Sequence, residues 1–195
     1  MFCPAQWRNG RKIGPCADHH RAITRLKQNT TYLATTGKDI NQPIETMRQQ
    51  VPAAWTDYNG HMNEARYLDC FSMATDAVMR WVGVDAAYLA DGGSYFTVET
   101  HIRHLDEVTA GKEIFATSQV LLGEGKKMQL FHHLYADGAD GPRLLATGEH
   151  MLIHVDMNSR SSSLPSDAVA AKLAELAAAH EKLPRPEGAG RAISG

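Results

Sequence analysis

No apolar run in these 195 residues approaches the roughly 20 needed to span a bilayer. The opening residues also lack the basic stretch followed by an apolar block that a secretory signal requires. Cysteine is scarce: Cys3, Cys16 and Cys70 are an odd, unpatterned set, which fits a reducing compartment better than a disulfide framework. A cytoplasmic location is expected, with no membrane partner. The formal net charge is only -2, which gives no electrostatic reason to expect nucleic acid. A Gly-x-Ser-x-Gly elbow is missing, which argues against a serine hydrolase of that class, and so is a dinucleotide fingerprint. Gly123-Glu-Gly125-Lys126-Lys127 is glycine-rich and basic but lacks the spacing and the Ser/Thr of a phosphate loop, so it reads as a hairpin turn. Ten histidines raise the question of a metal. His132 and His133 are adjacent on a predicted strand and point to opposite faces, while His150 and His154 lie roughly 13 Å apart along another. Neither pair closes on one ion, so no metal site and no cofactor are expected.

What is present is an ordinary globular composition, 43% hydrophobic and 22% charged, enough for one domain with a sizeable core. Residues 1–46 differ from the rest. Arg8, Arg11, Lys12, Arg21, Arg25 and Lys27 face only Asp18 in the first thirty residues, and apolar residues are sparse and aperiodic. Such a segment buries too little to offset its ordering entropy, and it is expected to be a disordered basic extension. Translation from Met47 is one account of the break, and a basic arm that docks on a partner is the other. The remaining expected boundaries are a domain over 47–158 and a linker, helix and tail over 159–195.

Within the domain, residues 48–56 suit a short edge strand interrupted by Pro52. From Asn63 to Val82 the apolar positions Tyr67, Phe71, Ala74, Val78 and Trp81 recur at steps of three and four, which predicts a long, largely buried helix stopped by Gly83. The period then changes to two. Tyr95 to His104 reads as a half-buried strand with Phe96, Val98 and Ile102 on one face. Strands over Glu113 to Leu122, Met128 to Ala136 and Leu144 to Val155 follow at short turns, predicting an antiparallel meander. A helix of about 20 residues is as long as a strand of 9 or 10, roughly 30 Å, so an α+β sheet wrapped around one central helix is the simplest architecture. An Ala-rich helix over Ala168 to Leu183 follows, and order is expected to end at Pro184.

The chemistry concentrates in Trp55-Thr-Asp57-Tyr-Asn59-Gly60-His61-Met62-Asn63, directly before the long helix. A turn with a helix cap accounts for Asp57, Asn59, Gly60 and Asn63. His61 and Asn63 also flank a helix start, whose N–H groups and positive dipole end suit an oxyanion. Carboxylate, amide and imidazole side by side can position water and hold a polarised carbonyl. Cys70 falls inside the helix and reads as packing, with a nucleophilic role as the alternative.

Asp57-x-x-Gly60, and more fully Asp57-x-Asn59-x-His61-x-Asn63 followed by Tyr67, resembles the signature of the hotdog-fold acyl-CoA and acyl-carrier thioesterases, the 4-hydroxybenzoyl-CoA thioesterase group among them. Ser94 to Gly111 looks like that family's second strand and turn, and the resemblance covers roughly residues 50–156. Trp55 to Asn63, Gly83 to Leu89 and His180 to Arg191 are more narrowly similar to the thioesterase domain fused to, or encoded beside, bacterial L-carnitine dehydrogenase, which is assigned to betainyl-CoA hydrolysis.

The resemblance implies a hotdog fold with a C-terminal helix added. It also implies a homodimer or higher homo-oligomer with continuous sheets and interfacial active sites, an acyl-CoA substrate, and carnitine dehydrogenase as a possible partner. Under it Asp57 is the general base or nucleophile, Asn59 and His61 orient water or thioester, and N–H groups of Gly60, Met62 and Asn63 polarise the carbonyl. Glu64 is the fallback carboxylate. Trp55, Tyr67, Trp81, Tyr95, Phe96 and Glu99 are the candidates for holding the acyl group, and Arg103, Lys126 and Lys127 for the CoA phosphates. A general short-chain thioesterase, a dehydratase and a non-catalytic acyl-CoA-binding domain are the alternatives.

Overall fold

The structure is a computed structural model that describes residues 39–193, together with the two-residue strands Trp7–Arg8 and Arg11–Lys12. Those two strands pair antiparallel. Apart from them, the disorder expected of residues 1–46 falls outside the described residues as far as 38.

The main body is built on strand β1 (Ile44–Gln50), the long helix α1 (Glu64–Trp81), the short helix α2 (Ala86–Ala90) and strand β2 (Gly93–His104). Strands β3 (Glu113–Glu124), β4 (Lys127–Ala136) and β5 (Arg143–Asp156) follow, then a two-residue strand β6 (Ser161–Ser162) and helix α3 (Asp167–Glu181). All strand pairings are antiparallel, and the sheet order is β1-β3-β4-β5-β2, with β6 on β5. The expected sheet around a central helix is there, and the expected meander is only its middle, β3 to β5. β2 crosses to the far side and pairs with β5 alone.

α1 forms where its pattern predicts, and its ends show why. The Asn63 side chain accepts the Ala65 N–H at 3.0 Å, satisfying one of the orphan donors of the first turn. At the other end Gly83 has φ 100°, Gly83 N–H bonds the Arg80 carbonyl and Val84 N–H bonds that of Met79, a Schellman closure. Phe71, Ala74 and Val78 turn into the core with at most 1% exposure. Phe71 can lie flat on the sheet only because residue 148 is glycine: a Cβ there would meet the ring at 2.7 Å.

Several boundaries and faces differ from the sequence expectation. The first strand spans Ile44–Gln50 rather than 48–56, so it starts ahead of residue 47, and Met47 is buried within it. Pro52, without an N–H, precedes a 3-10 turn at Ala53–Trp55 instead of continuing the strand. On β2, Phe96 and Val98 are 39% and 60% exposed whereas Tyr95 is buried. A bulge between Thr97 and Glu99 is the reason: one extra residue reverses the facing of the side chains across it, so the single-phase alternation fails. Ile102, beyond the bulge, does pack against the core. The tail past Pro184 is described to Ile193, and Gly190 N–H bonds Glu149 Oε2 at 2.7 Å.

The core has two apolar clusters. One sits at the start of α1, around Trp55, Tyr67, Phe71 and Leu145. The other is at its end, where Val169, Leu173 and Leu176 of α3 close on Val78, Val82 and Leu152. A buried polar seam includes Thr46 Oγ1 to Ser118 Oγ at 2.7 Å, Ser118 to His132 Nδ1 at 2.7 Å, and His132 Nε2 to Thr75 Oγ1 at 3.0 Å. The His150 ring stands edge-on to His132 at 5.2 Å. Pairs within one strand were the only histidine pairs visible in the sequence; this one crosses between β4 and β5.

Burial drives His132 well below its ordinary value and brings His150 down to about 4. Both are therefore neutral in the fold at pH 7, while an unfolded chain takes up protons near pH 6.5. Stability is full above pH 6.5 and falls as pH drops from 6.5 toward 4, by about 3 kcal/mol for His150 alone. Urea unfolding at pH 7 and pH 4.5 checks this: equal stability at the two would contradict it.

Candidate active site

The Trp55 to Asn63 stretch folds into a tight hairpin packed against the start of α1. Thr56 and Met62 form its closing bridge, Asp57 N–H donates to the His61 carbonyl at 2.9 Å and Gly60 N–H to the Asp57 carbonyl at 3.0 Å. Asp57 Oδ1 accepts the Asn59 N–H at 2.8 Å, the Asx turn expected of Asp in such a loop. Gly60 has φ 80°, a region L side chains rarely adopt. Tyr58, at the tip, is 97% exposed, while Asp57 and His61 are half-buried.

A second segment lines up beside the hairpin. His61 bridges Thr109 and Met62 N–H donates to the Val108 carbonyl at 2.7 Å. Asp57 and His61 oppose each other across the hairpin, so their side chains share one face. The residue two before Thr109 shares it as well. That residue is Glu107, whose Oε1 lies 3.3 Å from His61 Nε2.

The 105–109 segment is tied down from both sides. Leu105 and Asp106 N–H groups donate to the Leu145 carbonyl. Arg143 pairs with Asp106 and its Nη2 donates to the Glu107 carbonyl at 3.0 Å. Tyr67 Oη donates to the Asp106 carbonyl at 3.2 Å, and its ring meets His104 edge-on at 4.8 Å. The Arg143 hydrogen bond holds the Asp106 carboxyl below its usual range.

The structure brings together Asp57, Asn59, Gly60, His61 and Tyr67, but it corrects the expected oxyanion donors. Gly60 N–H is committed to Asp57, Met62 N–H to Val108, and Asn63 N–H to the Trp55 carbonyl at 2.8 Å. Hairpin closure and helix entry consume them. What the helix start still offers is its dipole. Glu64 stands in the first turn of α1.

The other candidates are scattered. Trp55 is buried in the first cluster with the Arg66 guanidinium 5.8 Å from its ring. Trp81 and Tyr95 pack in the second cluster, and Trp81 is about 27 Å along the helix from Asn63. Phe96 and Glu99 are exposed on β2, and Lys126 and Lys127 stand at the β3–β4 turn, where Lys126 Nζ donates to Ser162 Oγ at 2.7 Å. Arg103 lies under the tail at Gly188. Cys70 is fully buried, and burial pushes its thiol far up, leaving no thiolate for a nucleophilic role. Glu107 and Arg143 are the residues sequence reasoning missed: Leu105-Asp106-Glu107 reads as a strand end, and nothing local points to residue 61.

Compared with known proteins, residues 51–173 match the family described as the Thioesterase-like superfamily. The chain belongs to that superfamily. A betainyl-CoA thioesterase of Pseudomonas aeruginosa is 39% identical over 155 residues, covering 79% of this chain and 96% of that one. An L-carnitine dehydrogenase/betainyl-CoA thioesterase of Ruegeria pomeroyi is 52% identical over 155 residues, 80% of this chain and 31% of that protein. The chain thus spans about a third of the length of such two-activity relatives. A crystal structure of a candidate thioesterase from Pseudomonas putida KT2440 superposes with a TM-score of 0.67 at 34% identity, covering 78% of this chain and 97% of that one. This superfamily member thus has the hotdog fold that the resemblance implied. Among the described residues no helix is long and apolar enough to cross a membrane.

Proposed function

We propose that this chain hydrolyses acyl-CoA thioesters, with betainyl-CoA as its substrate and glycine betaine and CoA as products. The observation that carries the substrate is the 39% identity over 96% of the Pseudomonas aeruginosa betainyl-CoA thioesterase. The hairpin supplies the chemistry. Asp57 keeps one carboxylate oxygen in the Asx turn and has the other for activating water or attacking the thioester carbonyl. Carbonyl polarisation falls to the α1 dipole and to side-chain donors such as the Asn59 carboxamide, since the Gly60, Met62 and Asn63 N–H groups are committed.

The reading includes a homodimer joined edge to edge through β2. Among the described residues β2 is paired on one edge only, with Phe96 and Val98 exposed on it, and unpaired edges of this kind are usually covered. Antiparallel pairing of two such edges sets the Tyr95 end of one strand against the His104 end of the other, next to Tyr67 and the hairpin. Trp81, Tyr95, Phe96 and Glu99 of one protomer, remote from their own Asp57, then approach the partner's hairpin. A trimethylammonium group has no N–H to donate, and aromatic faces with a carboxylate are the groups that hold it. The CoA phosphates would fall to Arg103, Lys126 and Lys127. A CoA substrate suits a cytoplasmic enzyme, and the two-activity relatives support an L-carnitine dehydrogenase as its partner.

Matched substrates test this. Betainyl-CoA and tert-butylacetyl-CoA share the shape of the acyl group and differ in the charge of the quaternary centre, so each rate is taken relative to the spontaneous hydrolysis of the same thioester. Recognition of the cation predicts a kcat/KM about 10- to 30-fold higher for betainyl-CoA, equivalent to roughly 1.4 to 2 kcal/mol. Equal values would leave a general short-chain thioesterase.

A further inference from the structure

We infer that Glu107 is a positioning residue for His61: it holds the imidazole by Nε2, fixes the proton on that nitrogen, and leaves the Nδ1 lone pair for the water that Asp57 activates. The inference rests on the thioesterase reading only for what His61 then does. The geometry stands apart from it. Glu107 Oε1 is 3.3 Å from His61 Nε2, an ion-pair distance at which the carboxylate favours a proton on that nitrogen over a second lone pair. Asp57, His61 and Glu107 share one face of the small ladder that Thr56, Met62, His61 and Thr109 form.

The carboxylate is displayed from a segment that does not depend on it. Four backbone tethers, Leu105 and Asp106 N–H to Leu145, Arg143 to the Glu107 carbonyl and Tyr67 to the Asp106 carbonyl, hold the loop, and Arg143 also pairs with Asp106. The Glu107 side chain itself is 67% exposed. Of all these groups it alone meets His61, so its removal leaves the loop in place and frees the ring. A buried carboxylate that fixes the tautomer of a catalytic imidazole is worth up to about 10⁴-fold in kcat, and an exposed one such as Glu107 is expected to be worth less.

Two readouts on Glu107→Ala and Glu107→Gln decide it. Nitrogen-15 NMR of the His61 ring in the substrate-free protein should show the proton on Nε2 in the wild type. A mixture of tautomers is expected in Glu107→Ala, with the wild-type pattern regained in Glu107→Gln, which keeps an acceptor oxygen. Thiol release from betainyl-CoA should fall about tenfold in kcat for Glu107→Ala with KM within twofold, and Glu107→Gln should recover most of it. An unchanged tautomer in Glu107→Ala overturns the inference whatever the activity, as does an unchanged kcat in an active enzyme. If the wild type releases no thiol from any acyl-CoA, the thioesterase reading fails while the NMR still decides whether Glu107 positions His61.

Discussion

Asp57→Asn is expected to lower kcat/KM for betainyl-CoA about a thousandfold, within the range a positioned general base contributes, and to leave the thermal midpoint unchanged. The two halves of that expectation come from different atoms. The amide oxygen of Asn can still accept the Asn59 N–H that Asp57 Oδ1 accepts at 2.8 Å, so the Asx turn survives. The hairpin hydrogen bonds from Asp57 N–H and to its carbonyl involve backbone alone. What the amide cannot do at neutral pH is take a proton or attack a carbonyl. A thiol-release assay beside a thermal melt separates the two. Retained activity would remove Asp57 from the mechanism, and lost activity with a lost fold would show that the carboxylate matters to the hairpin instead.

Phe71→Ala is expected to cost about 3 to 5 kcal/mol, the range for truncating a fully buried phenylalanine, and to lower the midpoint on the order of 10 °C. Phe71 is fully buried. Its ring stacks on His132 at 5.8 Å and stands edge-on to His150 at 6.1 Å, and it rests against Gly148. Deleting it leaves a void between helix and sheet with no side chain at residue 148 to fill it, and brings that void to the edge of the polar seam. Chemical denaturation of both proteins gives the difference directly. A loss under 1 kcal/mol would mean that the helix settles onto Gly148 and closes the gap.

The parts of this molecule that the sequence disclosed are those set by neighbours in the chain. Asn63 caps α1 and Gly83 closes it because capping and termination are decided within four residues of the helix ends. The Asp57 to Asn63 cluster was legible for the same reason. Strand placement was less so. β2 pairs with β5 across the sheet instead of with β3, a choice made by the α1–α2 connection and by long-range packing. The facing of Phe96 and Val98 was misread because a single bulge at Thr97/Glu99 leaves no mark in the alternation of residue types. The His132–His150 pair and the Glu107–His61 contact join residues 18 and 46 positions apart, and no local pattern announces them. The backbone donors of the oxyanion idea failed on a similar point: the sequence shows that a helix begins at Asn63, and only the hairpin shows that the Gly60, Met62 and Asn63 N–H groups are already used.

The most direct test of the account is thiol release from betainyl-CoA by the purified chain at neutral pH, followed against the spontaneous rate of the thioester. Catalysed release in the wild type that falls about a thousandfold in Asp57→Asn is the predicted result; a wild type no faster than the uncatalysed reaction would contradict it.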